Sequence, residues 1–267
     1  MATILLNGTK VCFRCDGDRS RPTVVLSNSL GTDLSMWDAQ AAILATRFHV
    51  VRYDTRGHGG SGTPPGPYTI GQLGADVLAL LIHLDIPRVH FVGLSMGGVI
   101  GQWLGAHAPG RLHKLVLANT ASRIGTEEAW HARAASVRAA GMLDIAAGAP
   151  GRWFTPEFAA RQPVVVGSMQ KTLREIDPEG YAACCEALAV ADLRQDVKHI
   201  LAPTLVIGGA SDPVTTIDDA QALAAAIKGS TAVTLPASHL SNIEAPDRFS
   251  DALITFLMAS SEVLDRK

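Results

Sequence analysis

Val89-His90-Phe91-Val92-Gly93-Leu94-Ser95-Met96-Gly97-Gly98 is the stretch whose reading decides the fold. The run before Gly93 is apolar and rich in Val and Phe, which predicts a buried strand. The residues after Met96 follow a small, apolar helical pattern to about Ala108. Between them stands Gly93-Leu94-Ser95-Met96-Gly97, a G-x-S-x-G pattern in a strand–turn–helix setting. A serine lifted on so sharp a turn has a strained backbone, and side chains on its close neighbours would clash with it, hence the glycines. The turn leaves the Ser95 hydroxyl exposed at the carboxyl edge of a sheet. It also places the Met96 N–H at a helix N-terminus, where negative charge is stabilised. A plain Gly/Ser linker is the bland alternative; the context on both sides favours Ser95 as a nucleophile.

Working outward, strands and helices alternate. Ile4–Leu6 and Val11–Cys15 flank Asn7-Gly8, a hairpin signal. Thr23–Leu26 is a short strand followed by the polar loop Ser27-Asn28-Ser29-Leu30-Gly31. A helix is expected from about Met36 to Ala45, and a strand over Phe48–Tyr53 runs into the glycine-rich Asp54–Gly62. Thr69-x-x-Gln72 is a capping box for a helix over Ile70–Leu84. Leu115–Ala118 is another strand. The alternation predicts an α/β fold with a mostly parallel central sheet and helices on both faces. It stops between about Ser122 and Asp196, where Ala- and Arg-rich helical stretches are broken at Gly141, Pro150-Gly151, Pro163 and Pro178, and Val164-Val165-Val166 is ambiguous. This segment reads as a helical cap inserted into the core. The expected organisation is core 1–121, cap 122–197 and core 198–267. The last part adds strands Thr204–Ile207 and Thr231–Leu235 and helices Thr216–Ala226 and Pro246–Ala259.

A serine nucleophile needs a base, and the base needs an orienting carboxylate. Both belong on loops after later strands. Asp212 follows Thr204–Ile207, and His239 follows Thr231–Leu235. A turn-forming Asp-Pro and a surface histidine are the bland readings. The chain order Ser95, Asp212, His239, each directly after a strand, favours a triad. The equivalent place after Leu115–Ala118 holds Asn119, which cannot carry the charge. His58, in a glycine-rich loop able to approach the site, is a weaker candidate for the base. The second oxyanion donor is expected from the loop after Thr23–Leu26, with the Leu30 N–H joining that of Met96.

The whole-chain numbers bound the function. With 267 residues, 47% hydrophobic and 18% charged, the chain can bury a large core. A net charge of -2 argues against a nucleic-acid partner. The longest apolar stretch, about Ala75–Ile86, is interrupted by charge and too short to cross a membrane. The N-terminus has neither a cationic region nor a long apolar one, so no secretory leader is expected and the reading is cytoplasmic. Among four cysteines, Cys12-x-x-Cys15 has no second pair and lies in a strand, and Cys184-Cys185 is a poor zinc pair. Neither a metal nor another cofactor is expected.

These motifs together resemble the α/β-hydrolase superfamily, with Gly93–Gly97 as its nucleophile elbow. The superfamily commonly has His-Gly in the oxyanion loop, where this chain has Asn28-Ser29. Further stretches narrow the resemblance: Ser29–Trp37, Arg52–Gly59, Asn119–Gly125, Trp130-His131-Ala132-Arg133, Val137-Arg138 and Arg152-Trp153-Phe154-Thr155-Pro156. Together they are similar to the 3-oxoadipate enol-lactonases of the β-ketoadipate pathway of aromatic degradation. The resemblance implies a serine hydrolase that opens a small carboxylated enol lactone through an acyl-enzyme. The substrate carboxylate then calls for arginine, whose fork matches it. Arg123, Arg133, Arg138 and Arg152 lie in or beside the cap; Arg133 is preferred, and Trp130, Arg138 and Trp153 are the other substrate-binding candidates. General carboxylesterase, C–C bond hydrolase of ring-cleavage products and cofactor-free perhydrolase remain open, as does a non-catalytic binding protein. The oligomeric state is not legible.

Overall fold

A computed structural model describes residues 1–259. Among the described residues eight strands form one sheet in the order β1-β2-β4-β3-β5-β6-β7-β8. In chain order they are β1 Ala2–Leu6, β2 Thr9–Asp16, β3 Thr23–Ser27, β4 His49–Tyr53, β5 Val89–Leu94, β6 Leu112–Ala118, β7 Thr204–Gly209 and β8 Thr231–Leu235. The β1/β2 and β2/β4 pairs are antiparallel and every later pair is parallel. Asn7 and Gly8 both take positive φ, 48° and 75°, as the tight first hairpin requires. Strands β3, β4 and β5 are buried along their whole length, which is why they read as continuous apolar runs rather than alternating ones.

Three helices link the early strands: α1 Asp38–Leu44, α2 Ile70–His83 and α3 Met96–His107. The Thr69 hydroxyl caps α2 by accepting from Gln72 N at 3.1 Å. Between β6 and β7 the chain is helical in six pieces: α4 Glu127–Ala140, α5 Leu143–Ala147, α6 Pro150–Trp153, α7 Pro156–Arg161, α8 Pro163–Glu175 and α9 Pro178–Ala189. The ambiguous Val164–Val166 opens α8. Pro163 sits at the first helical position, and Val166, Met169 and Leu173 form its buried stripe while Val164 faces outward. Helix α4 packs along α9. The core resumes with α10 Ile217–Ala226, α11 Ser241–Glu244 and α12 Pro246–Met258.

Lys114 on β6 is buried, and its ammonium donates to the carbonyls of Phe256, Leu257 and Ala259 at 2.8, 3.1 and 2.6 Å. It thereby satisfies carbonyls that the end of α12 leaves unpaired. Cys12 and Cys15 lie three apart on β2, hence on opposite faces; one is buried and the other exposed, and both are free. No described helix is long and apolar enough to cross a membrane.

Candidate active site

The site forms where the parallel strands end. Ser95 has φ 56° and ψ −116°, outside the regions an L-residue ordinarily occupies. The strain is held from several sides. Ser95 N donates to Ala118 O at 2.9 Å, Thr120 Oγ1 donates to Ser95 O at 2.8 Å, and Gly97 N donates to Asn28 O at 3.0 Å. A Cβ on Gly97 would lie 2.2 Å from Ser27 O, so only glycine lets the elbow close on the loop after β3.

Asp212 and His239 meet as expected, with Asp212 Oδ2 and His239 Nδ1 2.8 Å apart. Asp212 accepts four further hydrogen bonds: Val214 N and Thr215 N on Oδ1, at 2.8 and 3.1 Å, and Thr215 Oγ1 and Asn119 Nδ2 on Oδ2, at 2.8 and 3.0 Å. Burial by itself would raise its carboxyl. The hydrogen bond and charge of His239, with the Asn119 and Thr215 donors, outweigh it and hold the group below the ordinary aspartate range. An ionised acceptor at Nδ1 fixes the histidine proton there and leaves Nε2 free as a base. Ser95 and His239 line the same cavity. Among the described residues no hydrogen bond joins them, a gap that unliganded sites commonly close when substrate binds.

Asn119 is the residue that sequence reasoning undervalued. Dismissed as an acid, it acts as a donor. Besides Asp212, its amide donates to Ser238 O at 3.1 Å, and its Oδ1 accepts from Ser241 Oγ at 2.5 Å. It thus ties the acid, the loop of the base and α11 together, from a backbone at φ 43° that asparagine tolerates better than most residues.

The loop after β3 is where the second oxyanion donor is expected. Asn28, in place of the commoner histidine, is an internal strut: its amide donates to Tyr53 O at 2.9 Å and accepts from Trp37 Nε1 at 3.0 Å. Ser29 N donates to Met36 Sδ, Gly31 N to His58 Nε2 and Thr32 N to Ser29 O. Neither Leu30 N nor Met96 N has a protein acceptor among the described residues. Both are therefore free to meet an anion.

The cavity has a volume of about 250 Å³. The loops at the strand ends contribute Ser29, Leu30, Ser95, Val214 and His239, and the helices between β6 and β7 contribute Trp130, Arg133, Arg152, Trp153, Leu173 and Tyr181. Trp130 is fixed by its indole N–H, which donates to Ile124 O at 2.5 Å, and the Arg133 guanidinium lies 4.8 Å from its ring centre. Arg152 donates to Ile145 O at 2.9 Å; burial and the nearby charge of Arg133 lower its affinity for its proton. No carboxylate of the described residues pairs with either guanidinium. Arg138, expected in the site, lies outside the cavity. Its guanidinium is engaged by Glu179 at 2.7 Å and Glu186 at 2.5 Å on α9 and is 36% exposed, so its charge is already spoken for. Arg123 faces Asp192 instead, at 3.7 Å. Tyr181 and Leu173 went unforeseen; in an Ala-rich helix and an amphipathic one, nothing local marks them as cavity residues. No cluster of three metal-binding side chains occurs among the described residues.

The model of the alpha/beta hydrolase family matches residues 24–252. The chain is 52% identical over 237 residues to 3-oxoadipate enol-lactonase 2 of Acinetobacter baylyi, covering 89% of each chain. It is 41% identical over 242 residues to 3-oxoadipate enol-lactonase 1 of the same organism, covering 91% of each. The crystal structure of the enol-lactonase from Burkholderia xenovorans LB400 superposes with a TM-score of 0.95 at 47% identity, covering 97% of this chain and 100% of that one.

Proposed function

This chain belongs to the alpha/beta hydrolase family, and from that premise we propose that it is a serine hydrolase opening 3-oxoadipate enol-lactone to 3-oxoadipate, a step of the β-ketoadipate pathway. One observation carries the reading. A strained serine and the histidine of an Asp212–His239 pair line a small cavity with two arginines that have no carboxylate of their own. A triad alone suits any ester. A triad facing unpaired guanidinium groups suits an ester that bears a carboxylate. The identity with relatives named enol-lactonases selects the lactone.

The residues account for each step. Ser95 Oγ attacks the lactone carbonyl carbon while His239 Nε2 takes its proton; Asp212 stabilises the imidazolium. The oxyanion of the tetrahedral intermediate rests on Leu30 N–H and Met96 N–H. Collapse breaks the ring C–O bond. The leaving oxygen is an enolate, a weaker base than an alkoxide, so little is asked of His239 as an acid; it takes the Nε2 proton to become an enol and leaves His239 neutral. Both halves of the substrate stay on Ser95 as one acyl group. The freed enol becomes a ketone, which removes the oxygen that would reclose the ring. Water, deprotonated by His239, then attacks the acyl carbon and Ser95 leaves with the proton. Arg133 and Arg152 hold the substrate carboxylate, with Trp130 and Trp153 walling the ring. The segment 122–197 acts as the cap that supplies these four groups.

Ultraviolet loss of the enol lactone, run beside a panel of simple esters, tests the assignment. The lactone is expected to be the preferred substrate, and a fluorophosphonate is expected to label the wild type but not Ser95→Ala. Preference for simple neutral esters would sink the lactone reading; labelling that survives the substitution would sink the nucleophile.

A further inference from the structure

His58 is buried, lies outside the triad and takes no part in the steps above. It stands in the loop after β4. Its Nε2 accepts from Gly31 N at 3.0 Å, and its Nδ1 faces Arg56 O at 3.4 Å and Cys184 Sγ at 4.0 Å. The two contacts with main chain are compatible with one form of the ring: neutral, with the proton on Nδ1 and the lone pair on Nε2. Burial favours that form, pushing the imidazole down to about 4. Arg56, two residues before it, is neutralised by a two-pronged bond to Asp76 at 2.5 and 2.6 Å.

We propose that His58 is a positioning residue for the oxyanion hole: by accepting the Gly31 N–H it fixes the loop in which Leu30 N–H alone is left to face the substrate. The loop's amides divide cleanly. Those of Ser29, Gly31 and Thr32 are each satisfied, and that of Leu30 has no acceptor among the described residues. Were Nε2 removed, the buried Gly31 N–H would be an orphan. The loop would then relax toward another acceptor, carrying the Leu30 donor with it.

The same side chain links the hole to the cap. The His58 ring lies 6.4 Å, centre to centre, from that of Tyr181, which lines the cavity from α9. Gly57 meets Gly180 of α9 backbone to backbone, so closely that a Cβ on Gly57 would lie 2.6 Å from Gly180 Cα. The seat of the cap and the aim of the oxyanion donor therefore share one loop. This rests on the serine-hydrolase reading, and it makes the hole sensitive to how the cap is seated.

Two substitutions of similar polarity separate an acceptor at Nε2 from mere space-filling. His58→Gln brings an amide oxygen to where Nε2 sits; His58→Asn reaches only the place of Nδ1. His58→Asn is expected to lose about a hundredfold in kcat, as removal of an oxyanion donor does. KM should change little, on both the enol lactone and p-nitrophenyl acetate, and His58→Gln should recover at least about a tenth of wild-type kcat. Equal kcat in the two variants, or a loss carried by KM, would overturn the proposal. Nitrogen-15 NMR of the wild-type imidazole at neutral pH needs no variant to fold: a lone pair on Nε2 supports the assignment, and a proton there overturns it. If the wild type ignores the lactone while the ester shows the split, the substrate assignment fails and the role of His58 stands.

Discussion

Arg133→Ala tests how the cavity tells a carboxylated lactone from a neutral ester. A hydrogen bond between a guanidinium and a carboxylate contributes about 1.5–3 kcal/mol, which corresponds to about ten- to 150-fold in kcat/KM. Two features place the expectation at the lower end. Arg133 is half-buried, so solvent screens part of its field. Arg152 lines the same cavity and keeps a positive charge there after the substitution; it is also relieved of the repulsion that Arg133 exerts on it. We expect a fall of about ten- to thirtyfold in kcat/KM for the enol lactone, carried by KM. Turnover of p-nitrophenyl acetate should stay within about twofold, since it offers no carboxylate to lose. Arg138→Ala serves as the internal control: its charge is engaged by Glu179 and Glu186 outside the cavity, so it should change neither substrate. Steady-state kinetics on the two substrates, followed in the ultraviolet and at the nitrophenolate band, decide the matter. An equal loss on lactone and ester would show that Arg133 shapes the cap rather than binding the carboxylate. A larger effect from Arg138 than from Arg133 would refute the assignment of the cavity wall.

Three other outcomes are expected. Asn119→Asp replaces the donor to Asp212 with a second carboxylate; the added negative charge should move the acid limb of the kcat/KM profile to higher pH, and an unmoved limb would show that Asn119 does not act through the pair. His58 and His90 are held by burial at about 4, below the ordinary histidine value of 6.5, so the unfolded chain takes up protons that the folded one refuses. Stability is then full above about pH 6.5 and falls as pH drops toward 4, by at most about 1.4 kcal/mol per pH unit for each ring; urea titrations at pH 7 and 5 should differ by about 2–4 kcal/mol, and equal midpoints would contradict the neutral rings. Lys114→Met strands the carbonyls at the end of α12 and should lower stability by about 1.5–3 kcal/mol in the same assay with the triad geometry intact, so that kcat is preserved; a neutral substitution would mean that solvent satisfies those carbonyls equally well.

What the sequence by itself determined is local and periodic. The elbow was legible because glycines at Gly93 and Gly97 have a steric reason that any reader of the chain can supply. The central strands were legible because fully buried strands read as apolar runs; Asp212 was placed by following such a run, β7, and His239 by following β8, a largely exposed edge strand. Asn119 was rightly set aside as an acid, but its role as donor was not legible, because that depends on β6 and β7 lying side by side. His58 was noticed, but its acceptor role depends on a loop 27 residues away.

The arginines mark the boundary most clearly. On α4 the buried stripe is Trp130, Ala134 and Val137. At about 100° per residue, Arg133 borders that stripe on one side and Arg138 on the other. Periodicity places both at the margin and cannot say which margin faces substrate. The packing of α4 against α9 decided it: Glu179 and Glu186 stand beside Arg138, and the cavity lies beside Arg133. A helix pattern fixes an angle about its own axis, and only a neighbour fixes which way that angle points.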